Sequence, residues 1–174
     1  MKRARWMLGA LGAMAALAMA PALPASAQTD WGYSTEITNV ANGAHWTVQP
    51  SSQVVSSSTL PMELLGQNAQ WRVQRQFDGT VTIQNEATGK CAETTLQANE
   101  PVFIAPCQPW DENQRWNLSP RWDGVVITPA KAPHLAVVSG ADQFRDTTLT
   151  LGARPFDQNG NVFDTANAVF RLNY

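Results

Sequence analysis

The sequence predicts one closed all-β domain with pseudo-threefold symmetry, and three observations carry that prediction. A pattern of strand, tight turn and strand recurs three times along the chain. Each copy closes on an aromatic residue that follows an Asn by three positions. Beyond residue 27, no segment shows an apolar stripe at helical spacing over three turns.

The first element is a leader. Lys2, Arg3 and Arg5 precede a run without charge over residues 6–20, which Pro21 and Pro24 break. Ala25-Ser26-Ala27 then supplies a small-residue cleavage site, so residues 1–27 read as a secretory signal peptide and 28–174 as the mature domain. An uncleaved membrane anchor is the competing reading; the apolar run is short for it, and no later segment is long enough to span a bilayer.

The full chain of 174 residues has 12 Lys and Arg against 14 Asp and Glu, and the leader takes three of the bases, leaving the mature domain acidic. No Lys or Arg lies between Trp6 and Trp71. A nucleic-acid binder needs a basic footprint, and none is present. The charged fraction of 15% is low and the seven Trp are many, a balance suited to polar, uncharged partners outside the cell. The two cysteines, Cys91 and Cys107, are expected to form a disulfide in an exported chain. Such a bond contributes about 3 kcal/mol by restricting the unfolded chain. A metal pair would be spaced by roughly two to four residues, which these are not. No metal and no cofactor are expected.

The first copy is anchored by Ile37, Asn39 and Gly43, the second by Ile83, Asn85 and Gly89, and the third by Ile127, Pro129 and Pro133. Each has Ile, a turn former two residues later and Gly or Pro after four more. Asp78-Gly79 and Asp123-Gly124 mark further turns ahead of the second and third copies. The copies end on Asn68-Ala69-Gln70-Trp71, Asn113-Gln114-Arg115-Trp116 and Asn167-Ala168-Val169-Phe170. This gives repeats of about 45 residues, near 33–77, 78–122 and 123–174, the third with about ten extra residues around 152–160. The Ser-rich run at 51–59 reads as a loop inside the first copy. Trp71, Trp116 and Phe170 are expected to meet in the core.

The second copy carries Gly89-Lys90-Cys91, a second cysteine at Cys107, and Asn113-Gln114-Arg115-Trp116. It resembles the ricin B-type lectin repeat, with its G-K-C start and Q-x-W end. That resemblance implies a β-trefoil and covers nearly all of the mature chain. The motif is decayed in the first and third copies, where Ala69 and Ala168 replace the Gln and the cysteine pair is absent.

The resemblance also implies a site. A carboxylate and an amide hold sugar hydroxyls, and an aromatic ring covers the C–H face. In such repeats the carboxylate lies two residues after the first Cys, the amide just before the Gln, and the ring two residues before the second Cys. These positions are Glu93, Asn113 and Ala105 here. Trp110 is expected to supply the missing ring, with Phe103 as a weaker substitute; Gln114 joins the set while marking the fold. Thr47 and Val137 stand at the carboxylate position of the other copies, which keep Asn68 and Asn167 as the amide. The third site is therefore expected to be dead, and the first to offer an unorthodox set of His45, Trp46 and Asn68.

Catalysis has little to stand on. No G-x-S-x-G is present, His45 and His134 lack a motif, and the carboxylates are scattered apart from Asp111-Glu112. Two readings stay open. One is a secreted carbohydrate-binding module whose partner is a glycan or glycoconjugate, with its main site in the second copy. The other is a trefoil with decayed sugar sites that binds a protein. Ricin-type trefoils resemble the accessory subunits of cytolethal distending toxins, which implies a secreted toxin partner and a patch drawn from Trp31, Trp46, Trp110 and Trp122.

Overall fold

The computed structural model describes residues 32–140, 146–155 and 164–173. The leader and Trp31 lie outside the described residues. The described residues form thirteen strands: β1 Gly32–Asn39, β2 His45–Val48, β3 Val55–Ser58, β4 Gln70–Arg75, β5 Val81–Asn85, β6 Cys91–Glu93, β7 Phe103–Ala105, β8 Trp116–Pro120, β9 Val125–Pro129, β10 Leu135–Val138, β11 Thr147–Thr148, β12 Thr150–Ala153 and β13 Val169–Asn173. One α-helical turn, α1 Met62–Leu65, and three short 3-10 turns at Gly66–Ala69, Glu112–Gln114 and Ala166–Ala168 are the helical content described.

Six strands form a closed ring. β1 pairs with β4, β4 with β5, β5 with β8, β8 with β9, β9 with β13, and β13 with β1 again, all antiparallel. Closure removes the unpaired edges that an open sheet would present. The closing aromatics occupy equivalent places: Trp71 lies opposite Asn85, Trp116 opposite Pro129, and Phe170 opposite Asn39. All three are fully buried, as are Ile37, Ile83 and Ile127. Truncating one such ring costs about 3–5 kcal/mol. The repeat is therefore visible in sequence because one core is built three times.

Three hairpins cap the ring: β2 with β3, β6 with β7, and β10 with β12. A cycle of backbone hydrogen bonds joins them. Val55 N donates to Val102 O at 2.9 Å, Val102 N to Leu149 O at 2.8 Å, and Leu149 N to Val55 O at 3.0 Å. This is the β-trefoil that the second copy implies.

The turn chemistry works as the sequence suggests. Asn39 Nδ2 donates to Asn167 O and Asn85 Nδ2 to Asn68 O, both at 2.9 Å, so each Asn ties its repeat to the 3-10 turn of a neighbouring one, the third for Asn39 and the first for Asn85. Gly43 and Gly89 hold φ of 69° and 67°, a conformation that disfavours other residues. Pro129 has no amide to offer, and its repeat keeps only the backbone bond from Ala130 N to Arg115 O.

Two expectations need correction. Trp46, offered as a site or patch residue, is fully buried. Its ring meets Trp71 and Phe170 edge-on, at centroid distances of 5.8 and 5.4 Å. Alternation along β2 turns it into the barrel core, while Thr47 faces the opposite side, where it is also buried. In the third copy the counterpart of Glu93 is Val138, not Val137. Glu93 pairs with Phe103 next to the Val102 contact, and Val138 pairs with Thr150 next to the Leu149 contact. The Pro-rich turn before β10 is one residue longer than its counterparts, which shifts the frame.

Candidate functional site

Cys91 and Cys107 are bonded, with an S–S distance of 2.01 Å. The bond fastens the start of β6 to the loop that follows β7. The same end of the second repeat carries Glu93, Asn113, Gln114 and Trp110.

Gln114 organises this region. It is 0% exposed, so its role is positional and it is not a surface contact. Its Nε2 donates to Glu93 Oε2 at 2.6 Å and to Pro106 O at 2.9 Å, and its Oε1 accepts from Gln108 N at 2.9 Å. One amide thus connects β6, the loop after the disulfide, and the 3-10 turn. Glu93 is half-buried. One carboxylate oxygen is held by Gln114, which leaves the other as an acceptor. A charge-assisted bond this short fixes the side chain's direction.

Asn113 lies in the 3-10 turn that Asp111 caps, with Asp111 Oδ1 accepting from Asn113 N at 2.9 Å. Its carbonyl accepts from Thr94 N at 3.2 Å. Trp110 precedes that cap and is 79% exposed, an apolar ring in solvent on the loop that Gln114 anchors. Phe103 is half-buried opposite Glu93. Ala105, at the family's ring position, presents no ring.

The other repeats differ. Thr47 is buried, and its hydroxyl donates to Asn68 O at 3.3 Å. Around it lies a hollow of about 300 Å³ walled by Leu60, Leu64 and Leu65, with Asn68, Gln49 and Asp146 among its lining. α1 supplies two of those leucines, so an apolar wall stands where the expected first site had His45 and Trp46. His45 Nδ1 is buried without a hydrogen-bond partner. In the third repeat Val138 lies against Gly152, where a Cβ would approach its Cγ1 to 2.9 Å, and Asn167 is engaged by Thr165 and Ser139. No carboxylate or free amide occupies that place.

A polar cleft that no linear motif marks opens at the junction of the first two repeats. It measures about 290 Å³ and is lined by Gln67, Arg72, Gln84, Asn85, Glu86 and Gly89. At the open end of the barrel, Phe77 and Trp122 stand at equivalent hairpin turns, 109% and 93% exposed. Among the described residues no cluster of three or more His, Cys, Asp or Glu could hold a metal, and no helix is long and apolar enough to cross a membrane.

The fold recurs among solved structures. An endo-β-galactosidase from Clostridium perfringens that releases GlcNAcα1-4Gal aligns with TM-score 0.65 at 15% identity, over 80% of this chain and 32% of that one; this chain thus spans about a third of its length. The Haemophilus ducreyi cytolethal distending toxin aligns with TM-score 0.63 at 16% identity, over 80% of this chain and 82% of that one. The Rhizoctonia solani agglutinin aligns with TM-score 0.60 at 14% identity, over 80% and 93%. At these identities the likeness is one of fold. No curated protein matches the sequence. The model of the ricin-type beta-trefoil lectin domain-like family matches residues 25–101 and 67–151, and with the Q-x-W repeat and the closed threefold barrel this places the chain in that family.

Proposed function

We propose that this protein is a secreted carbohydrate-binding module whose main site lies in the second repeat. Glu93 is the hydroxyl acceptor, Asn113 the amide partner and Trp110 the stacking ring, with Gln114 holding Glu93 in place. The observation that supports this most is the asymmetry between repeats. Only the second has a partly exposed carboxylate at the cap-strand position, braced from behind by a buried amide. The first has a buried Thr47 there and the third has Val138. A glycan array probed with the mature protein, followed by titration of the best ligand, tests the reading. A single shallow site binds with a Kd of about 1 mM. Glu93→Gln keeps an acceptor for Gln114 but removes the charge, and binding should weaken about tenfold or more.

The second reading, an accessory subunit that binds a protein, draws on Phe77 and Trp122. Large apolar rings in solvent at one end of a barrel suit an interface. If both Glu93→Gln and Glu93→Ala leave binding intact while Trp122→Ser abolishes capture of a partner, this second reading replaces the first.

A further inference from the structure

We propose that the cleft between the first and second repeats is a second saccharide site, separate from Glu93, that takes a neutral polyhydroxyl ligand. The inference rests on the glycan-binding reading above. The cleft's size, about 290 Å³, is near the lower end for small-ligand sites, roughly 300 Å³. Its side-chain lining is one guanidinium, one carboxylate and amides, the mixture of donors and acceptors that hydroxyls require.

Arg72 Nη2 and Glu86 Oε1 are 3.7 Å apart, an ion pair longer than a direct hydrogen bond. A ligand hydroxyl seated beside the pair, off the line that joins the two atoms, accepts from the guanidinium and donates to the carboxylate. The cleft's lining carries one positive and one negative side chain, so a neutral ligand fits better than an anion. Gln84 Nε2 donates to Gly89 O at 2.8 Å, which leaves its amide oxygen as an acceptor. The walls are preorganised: Arg72 and Gln84 face each other across the β4–β5 pair. The turn bearing Glu86 is closed by Asn85 Oδ1, which accepts from Thr88 N at 3.2 Å.

The threefold symmetry provides an internal control. At the next junction the equivalent positions hold Glu112, Asn117, Thr128 and Ala130, and Glu112 is taken by Lys131 at 2.8 Å. At the third they hold Ala166, Arg171, Thr38 and Val40, without a carboxylate. The full set of groups occurs at one junction of the three, so the fold alone does not account for it.

The test follows the side-chain amide NMR signals of Gln67 and Gln84 while galactose, N-acetylgalactosamine and glucose are each titrated to tens of millimolar, with galacturonate as the anionic comparator. We expect saturable shifts with at least one neutral sugar, unchanged in Glu93→Ala. Glu86→Gln and Arg72→Met should each weaken the binding about tenfold or more. Gln67→Ala, on an exposed turn, gives a further variant if either of those folds poorly. No shift with any neutral sugar, shifts with galacturonate alone, or full retention in the folded variants overturns the inference. Binding at Glu93 without binding here removes this site only. Binding here without binding at Glu93 moves the site and keeps the glycan reading. Binding at neither overturns both.

Discussion

Gln114→Ala should be among the most damaging single changes in the second repeat, although the residue is polar and makes no surface contact. The side chain is fully buried and makes three hydrogen bonds, to Glu93, Pro106 and Gln108. A bond to a charged group contributes about 1.5–3 kcal/mol and a neutral one about 1 kcal/mol. Glu93 is partly exposed and can recover water, so its bond belongs at the lower end. Pro106 O and Gln108 N lose their partner, which brings the total to about 3 kcal/mol. For a domain of this size that corresponds to about 10 °C in melting temperature. Urea unfolding of Gln114→Ala, Glu93→Ala and the double variant separates the contributions. The double variant should be about 1–2 kcal/mol more stable than the sum of the singles implies, because both remove the same bond. If Gln114→Ala costs less than about 1 kcal/mol, or if the two changes add fully, Gln114 does not brace Glu93 and the positional role assigned to it is wrong.

The Asp164 carboxylate is buried between Arg154, at 2.8 and 3.0 Å, and Arg121, at 3.1 Å; Asp164→Ala removes the acceptor that both guanidiniums share, and because Arg154 keeps Pro133 O and Arg121 reaches solvent the cost should lie near the lower end, about 3 kcal/mol, in chemical denaturation. Trp46 Nε1 is buried without a hydrogen-bond partner, so Trp46→Phe removes an unsatisfied donor along with some volume; the loss should stay below about 2 kcal/mol by thermal melting, well short of Trp116→Ala. Hydrogen bonds from the Thr80 hydroxyl and the Thr80 N–H hold the Asp78 carboxyl below its ordinary value, with Arg115 adding to the effect. Its contribution is therefore present above the ordinary value of 3.8 and is lost as pH falls through the lowered one. In a pH titration of stability, Thr80→Val should flatten the slope on the acid side of that value.

Much of the fold was legible because the core is repeated. Ile37, Ile83 and Ile127 mark inward strand positions, and Trp71, Trp116 and Phe170 mark the closing ones, so spacing carried both order and burial. Trp46 was harder to place. Its inward direction depends on strand parity, and a shift of one residue reverses every side chain. Val137 failed for the same reason, since a longer turn before β10 moved the register. The Cys91–Cys107 pair needed only the chemistry of export. The polar cleft was invisible in sequence: Gln67, Arg72, Gln84 and Glu86 converge through pairing across β4 and β5, and no linear motif encodes that.

The backbone cycle through Val55, Val102 and Leu149 sets this molecule apart from modular repeat arrays. In a solenoid each unit touches only its neighbours, and a shortened array persists. Here every unit completes the other two. Deleting the third repeat orphans Val55 O and Val102 N together and opens the ring where β9 and β13 had closed it. A protease that removed this repeat would leave no stable two-thirds remnant, so the protein persists whole or not at all. Function can drift separately in each repeat while the obligation to fold remains collective.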